Sequence, residues 1–155
     1  MMSQNEHEYL KLDNQLCFSL YAASRAISRM YRPLLDELGL TYPQYLVLLV
    51  LWERSQSTVK ELSETLDLDS GTLTPMLKRM EAANLVERKR STEDERIVIV
   101  RITESGLALK ERAVCIPQSL FASSNLPLEE LTALNGQIKK LMTQINAAMP
   151  QSGTS

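Results

Sequence analysis

Between Thr58 and Ile102 the chain sets two short helical stretches, a tight polar turn and a charged hairpin in one uninterrupted run, an order that few folds accommodate. Thr58-Val59-Lys60-Glu61 has the form of a capping box, in which the Thr58 hydroxyl and the Glu61 carboxylate satisfy orphan amides at a helix start. A short helix to about Leu66 follows. Asp67-Leu68-Asp69-Ser70-Gly71 then offers Asp69 or Ser70 as a second N-cap, and Thr72 to Ala83 carries Leu73, Met76, Leu77 and Met80 at helical spacing. Pro75 removes a backbone donor in the second turn, so a local bend, or a helix whose regular part begins near it, is expected. After Asn84, the runs Leu85 to Arg90 and Arg96 to Ile102 are rich in Val, Ile and Arg and flank the polar stretch Ser91 to Glu95, which predicts a two-stranded hairpin.

Longer helices flank this run. Leu16, Leu20, Ala23, Ile27, Met30 and Leu34 form one stripe along a helix that should reach Leu38, with Gly39 as its stop. Thr41-Tyr42-Pro43 restarts the chain, and Tyr45 to Glu53 reads as a deeply buried helix with Trp52 in the core. Beyond the hairpin, Thr103 to Gly106 begins a helix expected to reach about Phe121. Leu128, Leu131, Leu134, Ile138, Leu141 and Ile145 mark a last amphipathic helix. Two long apolar stripes at opposite ends of a 155-residue chain exceed what a monomer readily covers, which implies a homodimer. The expected fold is α+β, mostly α: a winged helix-turn-helix over about 41–102, with dimerisation helices over about 10–38 and 104–148. They make one domain over 10–149, between a flexible N-terminus (1–9) and a disordered tail (150–155).

Composition narrows the function. At 44% hydrophobic residues the chain can bury one ordinary core, and its length leaves no room for a second enzyme-sized domain. A formal charge of -2 argues against wholesale coating of nucleic acid, so any basic surface must be local. Arg88, Lys89, Arg90, Arg96 and Arg101, against Glu93, Asp94 and Glu95, make the hairpin that surface. The polar, acidic start does not read as a signal peptide, and no apolar run approaches membrane-spanning length, so a cytoplasmic protein without membrane contact is expected. Cys17 and Cys115 are too few for a disulfide scaffold. With only His7 beside them they are also too few for a zinc site, and no metal or cofactor is expected.

The order of elements suits DNA reading. A recognition helix needs small and hydroxylated residues where it enters the major groove, and Asp69, Ser70, Gly71, Thr72, Thr74 and Pro75 supply that end, with Lys78 and Arg79 one turn later. Arg88, Lys89, Arg90 and Arg96 make the wing basic, and Arg96 at its tip suits a narrow minor groove, with Asp94 expected to pair with and orient it. A dimer would place two such helices about one duplex turn apart, implying a pseudo-palindromic double-stranded operator. Each residue singly also fits a cap or a solvated surface charge, and a helical interaction module without DNA affinity fits the same pattern.

Several stretches carry a resemblance: Leu12 to Tyr21, Gly39 to Leu46, Leu51-Trp52-Glu53, Asp69 to Glu81 and Glu93-Asp94-Glu95-Arg96. Over roughly residues 10–120 the chain resembles the organic hydroperoxide resistance regulators, a branch of the MarR repressors. The resemblance implies a dimeric repressor that leaves its operator when an organic hydroperoxide oxidises a single N-terminal cysteine. Cys17 matches that position. Tyr31 and Tyr42 match the tyrosines that hydrogen-bond the sensing sulfur from the other subunit, and Tyr21 belongs to the same neighbourhood.

Chemistry on the residues runs beside this. Cys17 and Tyr21, four apart on one helix, share a face just off the Leu16 stripe, where a thiol would be shielded yet reachable. Tyrosine hydroxyls donate to a thiolate, the form that attacks peroxide, and the sulfenic acid product condenses with thiols. From this chemistry alone an inert, buried Cys17 stays open. The second, resolving cysteine of some members falls here at Ala122. Cys115, nearly two turns earlier, does not match and reads as a packing residue, with an intersubunit disulfide as the alternative. A one-cysteine scheme is therefore expected, in which oxidised Cys17 is capped by a small cellular thiol or over-oxidised. Two other readings compete: a MarR-type repressor released by a small aromatic ligand, and a thiol peroxidase using Cys17. No catalytic motif beyond the cysteine and tyrosines supports the latter, and the chain is expected not to be an enzyme.

Overall fold

The computed structural model describes residues 6–150, so residues 1–5 of the expected flexible start and 151–155 of the expected tail lie outside the described residues. Two short 3-10 turns, His7–Leu10 and Leu12–Asn14, precede α1 (Leu16–Glu37). Then follow α2 (Tyr42–Arg54), β1 (Gln56–Thr58), α3 (Val59–Leu66), α4 (Ser70–Ala82), β2 (Val86–Arg90), β3 (Val98–Ile102), α5 (Glu104–Ala113), α6 (Cys115–Ser124) and α7 (Leu128–Ala148). The chain divides after Ile116 into two compact units. This is the mostly helical, winged helix-turn-helix architecture expected from the sequence.

Local chemistry sets the boundaries. α1 ends in a Schellman turn: Gly39 takes the left-handed conformation (φ 68°), its N–H bonds the Asp36 carbonyl, and the Leu40 N–H bonds the Leu35 carbonyl. α2 opens with a reciprocal capping box between Thr41 and Gln44, and α3 with one between Thr58 and Glu61. α4 is capped by Asp69 and is helical throughout, so Pro75 is absorbed inside its second turn and does not start its regular part.

The core of the first unit joins Leu48 and Leu51 of α2, Leu62 of α3, Leu73, Leu77 and Met80 of α4, and Val86 and Val100 of the sheet, all at most 1% exposed. Each such side chain contributes about 1.5–3 kcal/mol by leaving water. The helix-turn-helix is thereby packed onto the wing, which gives α4 a fixed outer face.

Three details depart from the sequence reading. The hairpin is part of a three-stranded antiparallel sheet in the order β1-β3-β2, because Gln56–Thr58 pairs with Ile99 to Arg101. Three residues are too few to show alternation, and the inward one, Ser57, is polar. It is 4% exposed, and its hydroxyl bonds the Glu61 carboxylate at 3.1 Å. The single helix expected from Thr103 to Phe121 is two helices, broken at Val114, because the Pro117 ring would collide with the carbonyl of Ala113, four residues earlier. Trp52 is half-buried rather than core, with its indole N–H donating to the Gly106 carbonyl at 2.9 Å.

Within the single chain the terminal stripes are only partly covered. In α1, Leu16 is 58% exposed while Leu20, Ile27, Met30 and Leu34 are half-buried, and α7 has no fully buried residue.

Candidate nucleic-acid interface and thiol site

The apolar positions of α4, Leu73, Met76, Leu77 and Met80, face the core. Two adjacent rows at four-residue spacing therefore lie outward: Ser70, Thr74 and Lys78, and beside them Gly71, Pro75 and Arg79. All are exposed except the half-buried Thr74. Asp69 and Thr72 are placed differently. The Asp69 carboxylate accepts the Thr72 N–H at 2.8 Å and the Thr72 hydroxyl at 3.0 Å, so both residues are committed to the cap. Those bonds hold the Asp69 carboxyl below the usual carboxylate range. α3, α4 and the wing enclose a cleft of about 740 Å³ lined by Lys60, Ser70, Thr74, Arg88 and Arg96.

Strand parity sorts the wing residues. Arg88 lies opposite the buried Val100 and so projects from the core face of the sheet, whereas Lys89 lies opposite Ile99 on the outer face and is exposed. The Arg88 guanidinium meets Glu81 at 3.1 Å, and its side chain is 22% exposed. The sequence reading counts Arg88 among the DNA-binding residues of the wing; in the structure its guanidinium is held against α4. The Arg90 guanidinium donates to the Glu95 carbonyl at 2.9 Å. Asp94 grips Arg96 with two parallel bonds of 3.1 Å and also accepts the Arg96 backbone N–H at 3.0 Å, the pairing expected from the sequence. The Arg96 side chain remains 90% exposed, a preset guanidinium at the wing tip. Glu81 escaped the sequence reading because its partner is seven positions away and across a turn, outside any helical or strand period.

The residues expected to form a thiol site fall at two separate places in the chain. Tyr31, 8% exposed on α1, and Tyr42, the first residue of α2, bring their ring centroids to 6.4 Å. Tyr45 continues the stack at 6.3 Å from Tyr42, and Trp52 lies 6.3 Å beyond it. Burial first, and then the neighbouring phenols, pushes the Tyr45 hydroxyl up to about 12 and raises that of Tyr31. Both are therefore protonated donors at neutral pH.

Cys17 is exposed in the first turn of α1. It shares that helix with Tyr31, fourteen positions on, which at 1.5 Å per residue is about 21 Å away. One chain cannot bring the two together. Tyr21 is likewise exposed, its hydroxyl 3.3 Å from the Arg25 guanidinium, which lies 5.4 Å from the ring centroid. Cys115, read from the sequence as a packing residue, is exposed. Its thiol donates to the Arg112 carbonyl, and it adds to the upward push on the Tyr45 phenol. Among the described residues, no group of three or more His, Cys, Asp or Glu can hold a metal ion, and no single helix is long and apolar enough to cross a membrane.

The chain is 52% identical over 143 residues to the organic hydroperoxide resistance transcriptional regulator of Bacillus subtilis (strain 168), covering 92% of this chain and 97% of that one. The chain belongs to the organic hydroperoxide resistance branch of the MarR transcriptional regulators. A family model described as transcriptional regulator SarA/Rot matches residues 29–113 of this regulator. Among solved structures, reduced AbfR bound to DNA superposes with a TM-score of 0.73 at 38% identity, covering 90% of the regulator and 98% of that chain. The disulfide form of AbfR, a protein of Staphylococcus epidermidis, superposes at 0.62 with 38% identity, covering 91% and 99%.

Proposed function

We propose that the regulator is a homodimeric, cytoplasmic repressor that binds a pseudo-palindromic duplex and releases it when an organic hydroperoxide oxidises Cys17. The observation that carries this reading is the separation of the two parts: the paired phenol rings of Tyr31 and Tyr42, and an exposed cysteine about 21 Å from Tyr31 along the same helix. A second copy, joined through the partly exposed terminal helices, supplies the missing half. The relatives lend support, one being named for organic hydroperoxide resistance and another solved on DNA and in a disulfide form.

The DNA-facing residues in this reading are Ser70, Gly71, Thr74, Pro75, Lys78 and Arg79 in the major groove and Lys89, Arg90 and Arg96 on the wing. Asp69 and Thr72 hold the α4 end in shape, while Arg88 and Asp94 hold the wing.

At the sensor, the Cys17 thiolate attacks the terminal peroxide oxygen. An S–O bond forms, the O–O bond breaks, and the alkoxide leaves and takes a proton to become an alcohol. The Cys17 sulfenic acid then condenses with a small thiol, forming a disulfide and releasing water. The adduct breaks the Tyr-Cys-Tyr hydrogen bonds and shifts α1 against its neighbours, which changes the spacing of the paired recognition helices.

The alternative source of that thiol is the other subunit's Cys115, which is a free, exposed cysteine at the start of α6.

The test is a gel shift of wild type and Cys17→Ser on the DNA upstream of the regulator's own coding sequence, with and without cumene hydroperoxide, followed by non-reducing electrophoresis. Release of wild type alone supports the sensor. Release of both variants favours a small-ligand repressor. A covalent dimer lost in Cys115→Ser assigns Cys115 as the resolving thiol, and a small-thiol adduct on a monomer-sized band keeps the one-cysteine scheme.

A further inference from the structure

We infer that Glu81 is a positioning residue that locks the DNA-reading wing to the recognition helix, so that the two grip the duplex as one body. The inference rests on the DNA-reading assignment above and names a residue that does not itself touch DNA.

Glu81 lies in the last turn of α4, and its carboxylate reaches across the turn Ala83 to Leu85 onto β2. One oxygen, Oε2, accepts the Arg88 backbone N–H at 2.9 Å, and the other, Oε1, accepts the Arg88 guanidinium at 3.1 Å. β2 is an edge strand, paired only with β3, so this backbone N–H points away from the sheet and would otherwise lack a partner in it. A single carboxylate thus binds main chain and side chain of the same residue. That fixes the strand in both translation and twist relative to α4.

The pair is an imperfect stability device. Arg88 Nε is buried without a hydrogen-bond partner, and partly buried ion pairs of this kind are often matched in stability by apolar residues of similar volume. What an apolar pair lacks is direction. From Arg88 to the start of the tip loop at Ser91 the strand extends about 10 Å, so a tilt of about 10° at the base moves the tip by about 2 Å. Productive recognition tolerates about 0.5 Å. Asp94 fixes the Arg96 guanidinium at the far end, and Glu81 fixes the near end.

The test uses the full-length protein and a duplex that the wild type enriches from a random-sequence library. Glu81→Ala, Glu81→Gln and wild type are compared by fluorescence anisotropy over a salt series and by hydroxyl-radical cleavage of the duplex, with thermal melting of each protein as control. For Glu81→Ala we expect at least a tenfold loss of affinity and a salt slope shallower by about 0.9 for each phosphate that the wing no longer neutralises. Minor-groove protection at the flanks should weaken while protection under the recognition helices persists. Glu81→Gln keeps an amide oxygen for the backbone N–H and should fall between the two. Wild-type slope and flank protection in Glu81→Ala would overturn the inference. So would a uniform fading of all protection, which is the signature of a smaller folded fraction. Failure of the wild type to enrich any duplex would instead overturn the DNA-binding reading itself.

Discussion

Replacing Gly106 by Ala tests how tightly α5 is seated against the base of the wing. A Cβ built on Gly106 would lie 2.3 Å from the Leu85 carbonyl oxygen, 3.0 Å from Ile102 Cγ1 and 3.2 Å from the Leu85 carbonyl carbon. The first contact is more than an ångström inside ordinary van der Waals distance, and the obstacle is backbone. Leu85 cannot easily retreat, because its carbonyl accepts the Thr103 N–H at 3.1 Å and its own N–H bonds the Met80 carbonyl at 3.0 Å. Gly106 is pinned too: its N–H bonds the Thr103 hydroxyl at 3.0 Å, and its carbonyl holds the Trp52 indole. Overpacking of this kind costs about 3 kcal/mol, the upper end of the usual range. Ala is the better helix former by about 1 kcal/mol, leaving a net loss of about 2 kcal/mol. For a domain of this size each kcal/mol lowers Tm by about 2–4 °C, so Gly106→Ala should melt about 4–8 °C below wild type. The same substitution at Gly136 of α7, where nothing lies within 4 Å, should leave Tm unchanged or raise it. Differential scanning calorimetry decides the matter. A Gly106→Ala protein as stable as wild type would show that the wing base yields readily and that the reasoning is wrong.

Three other outcomes follow from the same geometry. Asp69→Ala removes the cap of α4, which should cost about 1 kcal/mol in urea unfolding and speed hydrogen exchange at the Thr72 amide. Glu81 has its carboxyl lowered by the Arg88 side-chain and backbone bonds, so its contribution to stability is complete above the ordinary carboxylate range and is lost as pH falls through the depressed value. The Tm difference between wild type and Glu81→Gln should therefore stay level from neutral pH down to about 5 and shrink only in stronger acid. For the buried phenols the sign reverses: their protonated forms support the fold below the ordinary tyrosine range, and that support is lost as pH rises towards about 12. Phenolate absorbance should show one tyrosine titrating near 12, and Tyr45→Phe should abolish that step.

The sequence was legible wherever a local rule fixes the outcome. The Thr58 capping box, the Gly39 stop and the Val-, Ile- and Arg-rich hairpin around its polar tip are short-range devices, and each stands where its residues demand. Features set by distant partners were not legible. β1 exists because β3 offers an edge, and Trp52 is half-buried because its indole N–H seeks the Gly106 carbonyl, fifty-four positions away. The count of basic residues in the wing overlooked strand parity, which turns Arg88 inward to Glu81 while Lys89 stays outside. Pro117 could have been read as a break four residues upstream, because its ring excludes a helical carbonyl there. For the proposed thiol site the sequence named Cys17, Tyr31 and Tyr42, and helix geometry keeps Cys17 and Tyr31 of one chain about 21 Å apart.

The most direct test follows one sulfur and one duplex together. Reduced protein on labelled operator is titrated with an organic hydroperoxide, and each aliquot is split between anisotropy and intact-mass analysis with peptide mapping. If Cys17 oxidation releases the duplex, the bound fraction falls in step with the share of protomers modified at Cys17 and stays constant in Cys17→Ser at the same doses. Dissociation while Cys17 remains a free thiol, or full occupancy with Cys17 fully modified, would contradict that mechanism.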